Sequence, residues 1–280
     1  MAEGFKFDRI GYWSEIKIEI VRKYAQAYST ILAAQRRFHH VYIDAFAGAG
    51  EHLSRATNQL VPGSPGQALQ VTPSFREFFF IDMDGDKVES LRRLYGERTD
   101  VRILQGDCNR ILLEQVFPRV RWEDYRRGLC LLDPYGLDLD WQVIECAGRL
   151  RTIDLFINFP IMDVNRNVLW HNPEGVSPAQ AGRLTAFWGD ESWRTAAYRP
   201  SAQLSLFEGH EELEKVDNAS VAEAFRQRLR QVGGFPNVPP PLPMRNTQGA
   251  IVYYLFFASQ KDVANHIVDE IFASYAQRRS

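Results

Sequence analysis

Val41-Tyr42-Ile43-Asp44-Ala45-Phe46-Ala47-Gly48-Ala49-Gly50 is a short, β-prone apolar run that carries an acid near its end and closes in a glycine turn. A buried strand entering a tight turn has this form, and the missing glycine side chains let a ligand approach the backbone. Similar runs follow at Glu77 to Ile81, Val101 to Gln105, Leu129 to Leu132 and Asp154 to Asn158, separated by helical or polar stretches such as Lys87 to Tyr95. Alternating β and α predicts a mostly parallel sheet with helices on both faces. Ligands of such sheets sit beyond the carboxyl ends of the strands, so Asp44, Asp82, Asp107, Asp133 and Asn158 are the residues of interest.

Upstream of the first strand, Ile16, Ile20, Tyr24, Tyr28 and Ile31 recur at helical spacing and predict an amphipathic helix over 13–35. Lys17 lies beside that apolar stripe and is expected to be a solvated lysine; the alternative is contact with a carboxylate or phosphate at the site mouth. His39 and His40 are expected in a turn before the strand. Beyond Ile161 the periodicity dissolves, until about Asn218, into a stretch holding Trp170, Phe187, Trp188, Trp193 and Tyr198. Its rings suit either the core of a small lobe or the stacking of a flipped base. A helix over Ser220 to Val232, a proline-rich link at 236–243, a strand over Ile251 to Ala258 and a helix over Asp262 to Tyr275 complete the pattern. The expected division is a helix and Rossmann-like core over 1–160, an inserted aromatic lobe with its following helix over 161–235, and a closing strand pair and helix over 236–280.

Composition narrows the function. With 33 Lys plus Arg against 35 Asp plus Glu, the net charge is −2, so any nucleic-acid site has to be a local patch. Arg119, Arg121, Arg126 and Arg127 give one weak excess, interrupted by Glu123 and Asp124, which a solvated loop explains. Three cysteines without a C-x-x-C pair build neither a disulfide framework nor a four-ligand zinc site, and no metal is assigned. The longest apolar run, near Ala250 to Ala258, is about half of the roughly 20 residues a membrane span needs, and the first residues lack the apolar core of a secretory signal. A cytoplasmic protein without membrane contact is expected. A nicotinamide dinucleotide is disfavoured, because Leu53 replaces the third fingerprint glycine and Asp82 lies 32 residues beyond Gly50.

The segment from Asp44 to Gly50 resembles the first motif of class I S-adenosylmethionine (SAM) methyltransferases. That resemblance implies a Rossmann-like fold with a seven-stranded, mostly parallel sheet, and SAM as cofactor. It implies a cofactor cradle of Asp44, Phe46, Ala47, Gly48 and Gly50, where Asp44 either meets the methionine amino group or braces the turn. It further implies Asp82 on the ribose hydroxyls, Met83 against the adenine, Asp107 on the adenine amino group and the backbone N–H of Cys108 beside it. Leu132-Asp133-Pro134-Tyr135-Gly136 resembles the Asp-Pro-Pro-Tyr motif of amino-group methyltransferases of adenine or cytosine, lacking its second proline. An exocyclic amine is a poor nucleophile whose hydrogens need acceptors. Asp133 and the Pro134 carbonyl would supply these, with Tyr135 stacking the base.

Gly11-Tyr12-Trp13, Lys17, the strand and turn through Gly50, Gly63-Ser64-Pro65, Leu132 to Gly136, Ile157-Asn158-Phe159-Pro160 and Tyr253 to Ala258 together resemble the three-Cys-motif partner proteins of bacteria. That resemblance implies a radical-SAM-like companion bearing a three-cysteine motif. Two functions are therefore expected in competition: methyl transfer from SAM to a base amino group of DNA or RNA, or a SAM-binding partner subunit without independent catalysis. Methylation of a protein or small molecule is a third possibility.

Overall fold

The computed structural model describes residues 9–10, 12–54, 58–200 and 213–277. Gly11 and residues 201–212 of the aromatic stretch lie outside the described residues. One seven-stranded sheet organises the rest: β1 (His39–Asp44), β2 (Glu77–Asp82), β3 (Val101–Gln105), β4 (Arg126–Leu132), β5 (Ile153–Phe159), β6 (Leu242–Arg245) and β7 (Ile251–Ala258). Their order across the sheet is β3-β2-β1-β4-β5-β7-β6. The first five run parallel, and β7 is antiparallel to both β5 and β6. This is the expected mostly parallel, seven-stranded Rossmann-like sheet with helices on both faces.

Strand alternation explains the continuous apolar runs. Val41, Ile43, Phe79, Ile81, Cys130, Leu132, Leu155 and Ile157 enter one core layer, while Tyr42, Phe78, Phe80, Leu129, Leu131 and Phe156 enter the other. On the second face lie α1 (Tyr12–Ala33), contributing Ile16, Ile20 and Tyr24, and α8 (Asp262–Gln277), contributing Val268 and Phe272. Two other helices flank the site strands: α2 (Ser64–Leu69) and α3 (Gly85–Tyr95), the latter capped by Asp84.

The first face is covered by α4 (Trp141–Leu150), α5 (Ile161–Asn167), α6 (Pro178–Trp188) and α7 (Asn218–Gln231). The aromatic stretch is thus not without periodicity. It forms helices whose Phe187 and Trp188 pack with Phe159 of β5 and Phe225 of α7, with ring centroids of Phe159 and Phe225 only 4.8 Å apart. Phe187, Trp188 and Trp193 are buried in the same cluster as the sheet residues. These rings are core. The helix α6 was hidden in the sequence because it offers one narrow apolar stripe bounded by turns, whereas α7 matches the helix expected over Ser220 to Val232. His39 and His40 also differ from expectation: they open β1, paired with Arg126 and Arg127 of β4. No helix among the described residues is long and apolar enough to cross a membrane.

Candidate functional site

The sheet order reverses between β1 and β4, and a crevice opens where the chain leaves the sheet in opposite directions. Asp44 at the end of β1 pairs with Leu131 of β4, so the glycine turn and the Asp133-Pro134-Tyr135 segment emerge side by side. A cavity of about 370 Å³ lies between them, bordered by Phe46 to Gly50 on one wall and by Lys17, Asp133, Pro134, Tyr135 and Asn158 on another.

The turn is built for close approach. Gly48 and Gly50 adopt φ of +64° and +85°, conformations costly for any residue with a Cβ. A Cβ on Gly48 would meet nothing within 4 Å, whereas one on Gly50 would lie 2.9 Å from Leu94 Cδ1. Gly48 is open toward a ligand, and Gly50 is closed by its own fold. The Gly50 carbonyl accepts from the Gly63 N–H at 2.8 Å, so Gly63-Ser64-Pro65 closes the turn from behind. Asp82 Oδ2 accepts from the Gly48 N–H at 2.8 Å and Oδ1 from the Asp84 N–H at 2.9 Å, which ties the second strand end to the same turn.

Asp44 is fully buried. Its Oδ1 accepts from the Phe46 N–H at 3.3 Å, the Ser64 hydroxyl hydrogen-bonds the carboxyl, and Oδ2 is buried without a partner among the described residues. Burial raises its pKa to about 7, with Asp133 and Asp82 adding to the rise and Ser64 and the Phe46 N–H opposing it.

Lys17 corrects the sequence expectation most sharply. It is buried, and Nζ pairs with both carboxylate oxygens of Asp133 while lying 5.0 Å from the centroid of Tyr253. The Tyr253 hydroxyl donates to the Trp13 carbonyl at 3.0 Å, holding the start of α1 over the crevice. Asn158, at the end of β5, donates through Nδ2 to Asp133 Oδ1 at 2.8 Å and lies 3.5 Å from the Pro134 carbonyl. Its Oδ1 is buried and without a partner among the described residues, as is Asp163 Oδ2 on the same cavity. Tyr135 is 69% exposed and receives a 3.1 Å hydrogen bond from Lys87 of α3.

The structure therefore brings Phe46, Ala47, Gly48, Gly50, Asp133, Pro134 and Tyr135 to one cavity, with Asp44 beneath them and Asp82 attached through Gly48. Met83, next to Asp82 in the chain, is 68% exposed and does not border the cavity. Asp107 and Cys108 do not border that cavity. Asp107 Oδ1 caps the following helical turn through the Asn109 N–H at 3.0 Å, and burial pushes the Cys108 thiol up to about 12. Sequence reasoning ranked the carboxylate contact of Lys17 second and missed the role of Ser64. Pairing between a helix and a loop so distant in the chain leaves no local signal, although both residues lie in the segments that carry the family resemblance.

No family model matches the chain, and no curated protein matches it. Among solved structures it is similar to a Thermobifida fusca protein named as a candidate methyltransferase, at 13% identity and TM-score 0.44, covering 89% of this chain and 80% of that one. It is also similar to a Legionella pneumophila protein at 12% identity and TM-score 0.40, covering 78% and 93%. A Listeria monocytogenes protein named as a candidate SAM-dependent methyltransferase follows at 10% identity and TM-score 0.39, covering 86% and 99%.

Proposed function

We propose that this chain is a SAM-dependent methyltransferase acting on an amino nitrogen of a nucleic-acid base. The observation that carries the proposal is the crevice at the sheet's reversal point, where an open glycine turn faces an acid, a proline carbonyl and an exposed tyrosine. The residues present fit the cofactor: Gly48 leaves its side-chain volume empty, and Asn158 Oδ1 and Asp163 Oδ2 are buried acceptors without donors among the described residues. Gly48 to Gly50 would hold the methionine portion, Asp82 and Met83 the ribose and adenine, and Asp107 with Cys108 the far edge of the adenine. When bound, SAM supplies an electrophilic methyl group with a good leaving group already attached.

The chain's own residues then position the acceptor. Asp133 and the Pro134 carbonyl accept from the amine hydrogens and keep its lone pair directed at the turn, and Tyr135 offers an exposed ring for the base. Lys17 holds the Asp133 carboxylate in place, and Asn158 orients it from the other side. The test is transfer of labelled methyl groups from SAM to total RNA and DNA, with and without nuclease. Transfer should be nuclease-sensitive and lost in Asp133→Ala under conditions where the variant still binds SAM. Undiminished turnover would sink the catalytic assignment.

One observation favours a second reading, in which the chain binds SAM for a companion protein bearing a three-cysteine motif and does not itself catalyse. The Asn158 amide occupies the space between Asp133 Oδ1 and the Pro134 carbonyl, where the target amine would be accepted. Transfer that appears only when the companion is added would favour this reading.

A further inference from the structure

A second recess lies at the opposite end of the sheet, at the amino ends of β1, β4 and β5. It has a volume of about 530 Å³, and its walls include Arg37, Arg127, Arg151 and Lys261 among aromatic side chains. None of these four cations makes an ion pair among the described residues. Asp154 is the one acid bordering the groove; it is half-buried and accepts from Tyr24 Oη at 2.7 Å and Ser259 Oγ at 2.6 Å, with Lys261 favouring its charged form. On a chain of net charge −2, this is the kind of local cationic surface that the composition requires of any nucleic-acid site.

The rings are interleaved with those charges. The Arg127 guanidinium lies 3.9 Å from the Trp122 centroid and 4.8 Å from that of Phe38; Arg37 lies 5.7 Å from Tyr125, and Lys261 5.8 Å from Trp122. Trp122 and Tyr125 are each 49% exposed, so each ring keeps surface available beyond its cation contact. Asp124, which interrupts the arginines in sequence, is taken up by Arg121 on the neighbouring cleft.

Backbone strain marks the same place. Tyr125 has a φ of +53°, a left-handed conformation that non-glycine residues seldom adopt, whereas the +56° of Arg151 is the left-handed cap that ends α4, its N–H bonding the Ala147 carbonyl. The Arg121 to Arg126 turn that presents Trp122 and Tyr125 is closed by the Arg126 N–H on the Arg121 carbonyl at 3.2 Å, and the Tyr125 carbonyl accepts from the His39 N–H at 3.1 Å. Strain at Tyr125, in the turn that exposes both rings, is costly and points to a use for the display.

We propose that this groove binds single-stranded nucleic acid, with bases stacked on Trp122 and Tyr125 and phosphates on Arg37, Arg127, Arg151 and Lys261. Rings alternating with cations that make no direct ion pair are the chemistry of sequence-tolerant single-strand binding. With strands of about 6 residues at roughly 3.3 Å each, the groove and the glycine turn are about 20 Å apart, so this is a docking surface separate from the crevice. It stands whether or not the chain transfers a methyl group.

The test is fluorescence anisotropy with labelled single strands of about 12 nucleotides, RNA and DNA in separate arms, beside a duplex and a polyglutamate peptide. Wild type should bind the single strands in a salt-dependent way and more tightly than the duplex or the peptide. Trp122→Ala should weaken binding about tenfold. Arg37→Glu combined with Lys261→Glu should weaken it at least as much and reduce the log–log salt slope by about 1.4, at roughly 0.7 for each phosphate no longer neutralised. Arg149→Glu, a single charge reversal outside the groove and half the charge change of the double variant, should alter affinity less than about twofold. Cooperative melting of each variant, with cofactor titration run separately, keeps failure here distinct from failure of the methyltransferase reading. Absent binding, equal binding by folded groove variants, or equal affinity for duplex or polyglutamate would each overturn the proposal.

Discussion

Lys17 of the first helix and Asp133 at the end of the fourth strand, 116 residues apart in sequence, form an ion pair on the wall of the crevice, the lysine buried and the carboxylate partly open to the cavity. The pair joins the cover of the sheet to its reversal point. Removing the carboxylate leaves a buried ammonium with no anion, and Asp133→Ala is expected to cost about 3 kcal/mol in urea unfolding. Lys17→Met together with Asp133→Leu removes both charges and should recover most of that loss. A double variant no more stable than Asp133→Ala would contradict the pairing.

Asn158 orients Asp133 without touching the turn. Asn158→Ala should lower the methyl-transfer kcat about tenfold through the loss of Asp133 positioning, with a smaller, at most severalfold, weakening of SAM binding from the loss of its Oδ1. A rise in kcat would instead mean that the amide blocks the acceptor position.

The two turn glycines should respond differently to substitution. Gly48→Ala meets open space and costs about 1–2 kcal/mol of backbone strain. Gly50→Ala adds the collision with Leu94, and also approaches Leu91 and Tyr95 at 3.1 Å, so it should cost more, about 3 kcal/mol or above. Equal unfolding midpoints would contradict the packing described for Gly50.

Asp44 governs a pH dependence of stability. Its folded pKa, about 7, lies above its ordinary value of 3.8, so the folded state keeps a proton that the unfolded chain gives up between those values. The contribution is fully present below about pH 4 and is lost as pH rises through 7. Asp154, raised to about 6 by burial, acts in the same sense over a narrower window. Asp44→Asn should therefore gain stability relative to wild type between about pH 4 and 7, by urea midpoints at each pH, and level off above. A constant difference across that range would contradict the assignment.

The sheet could be read from the sequence because strands buried on both faces leave unbroken apolar runs, and the runs ending in Asp44, Asp82 and Asp133 lie within a residue or two of the observed strand ends. The aromatic stretch could not, since Phe187, Trp188 and Trp193 look the same as exposed stacking rings until Phe159 and Phe225 are seen against them. Lys17 failed for a related reason: a lysine beside an apolar stripe is usually solvated, and only the distant Asp133 makes its burial tolerable. Trp122 and Tyr125, in the arginine stretch read as a solvated loop, are exposed, as is Trp170 of the aromatic stretch itself.

Calorimetric titration of the purified protein with SAM and with its demethylated product tests the glycine turn as a SAM site most directly. Micromolar binding of both is expected, weakened about tenfold or more in Asp82→Asn, which keeps an acceptor for the Gly48 N–H but removes the carboxylate charge. A cooperatively folded wild type that takes up neither ligand at millimolar concentration would contradict it.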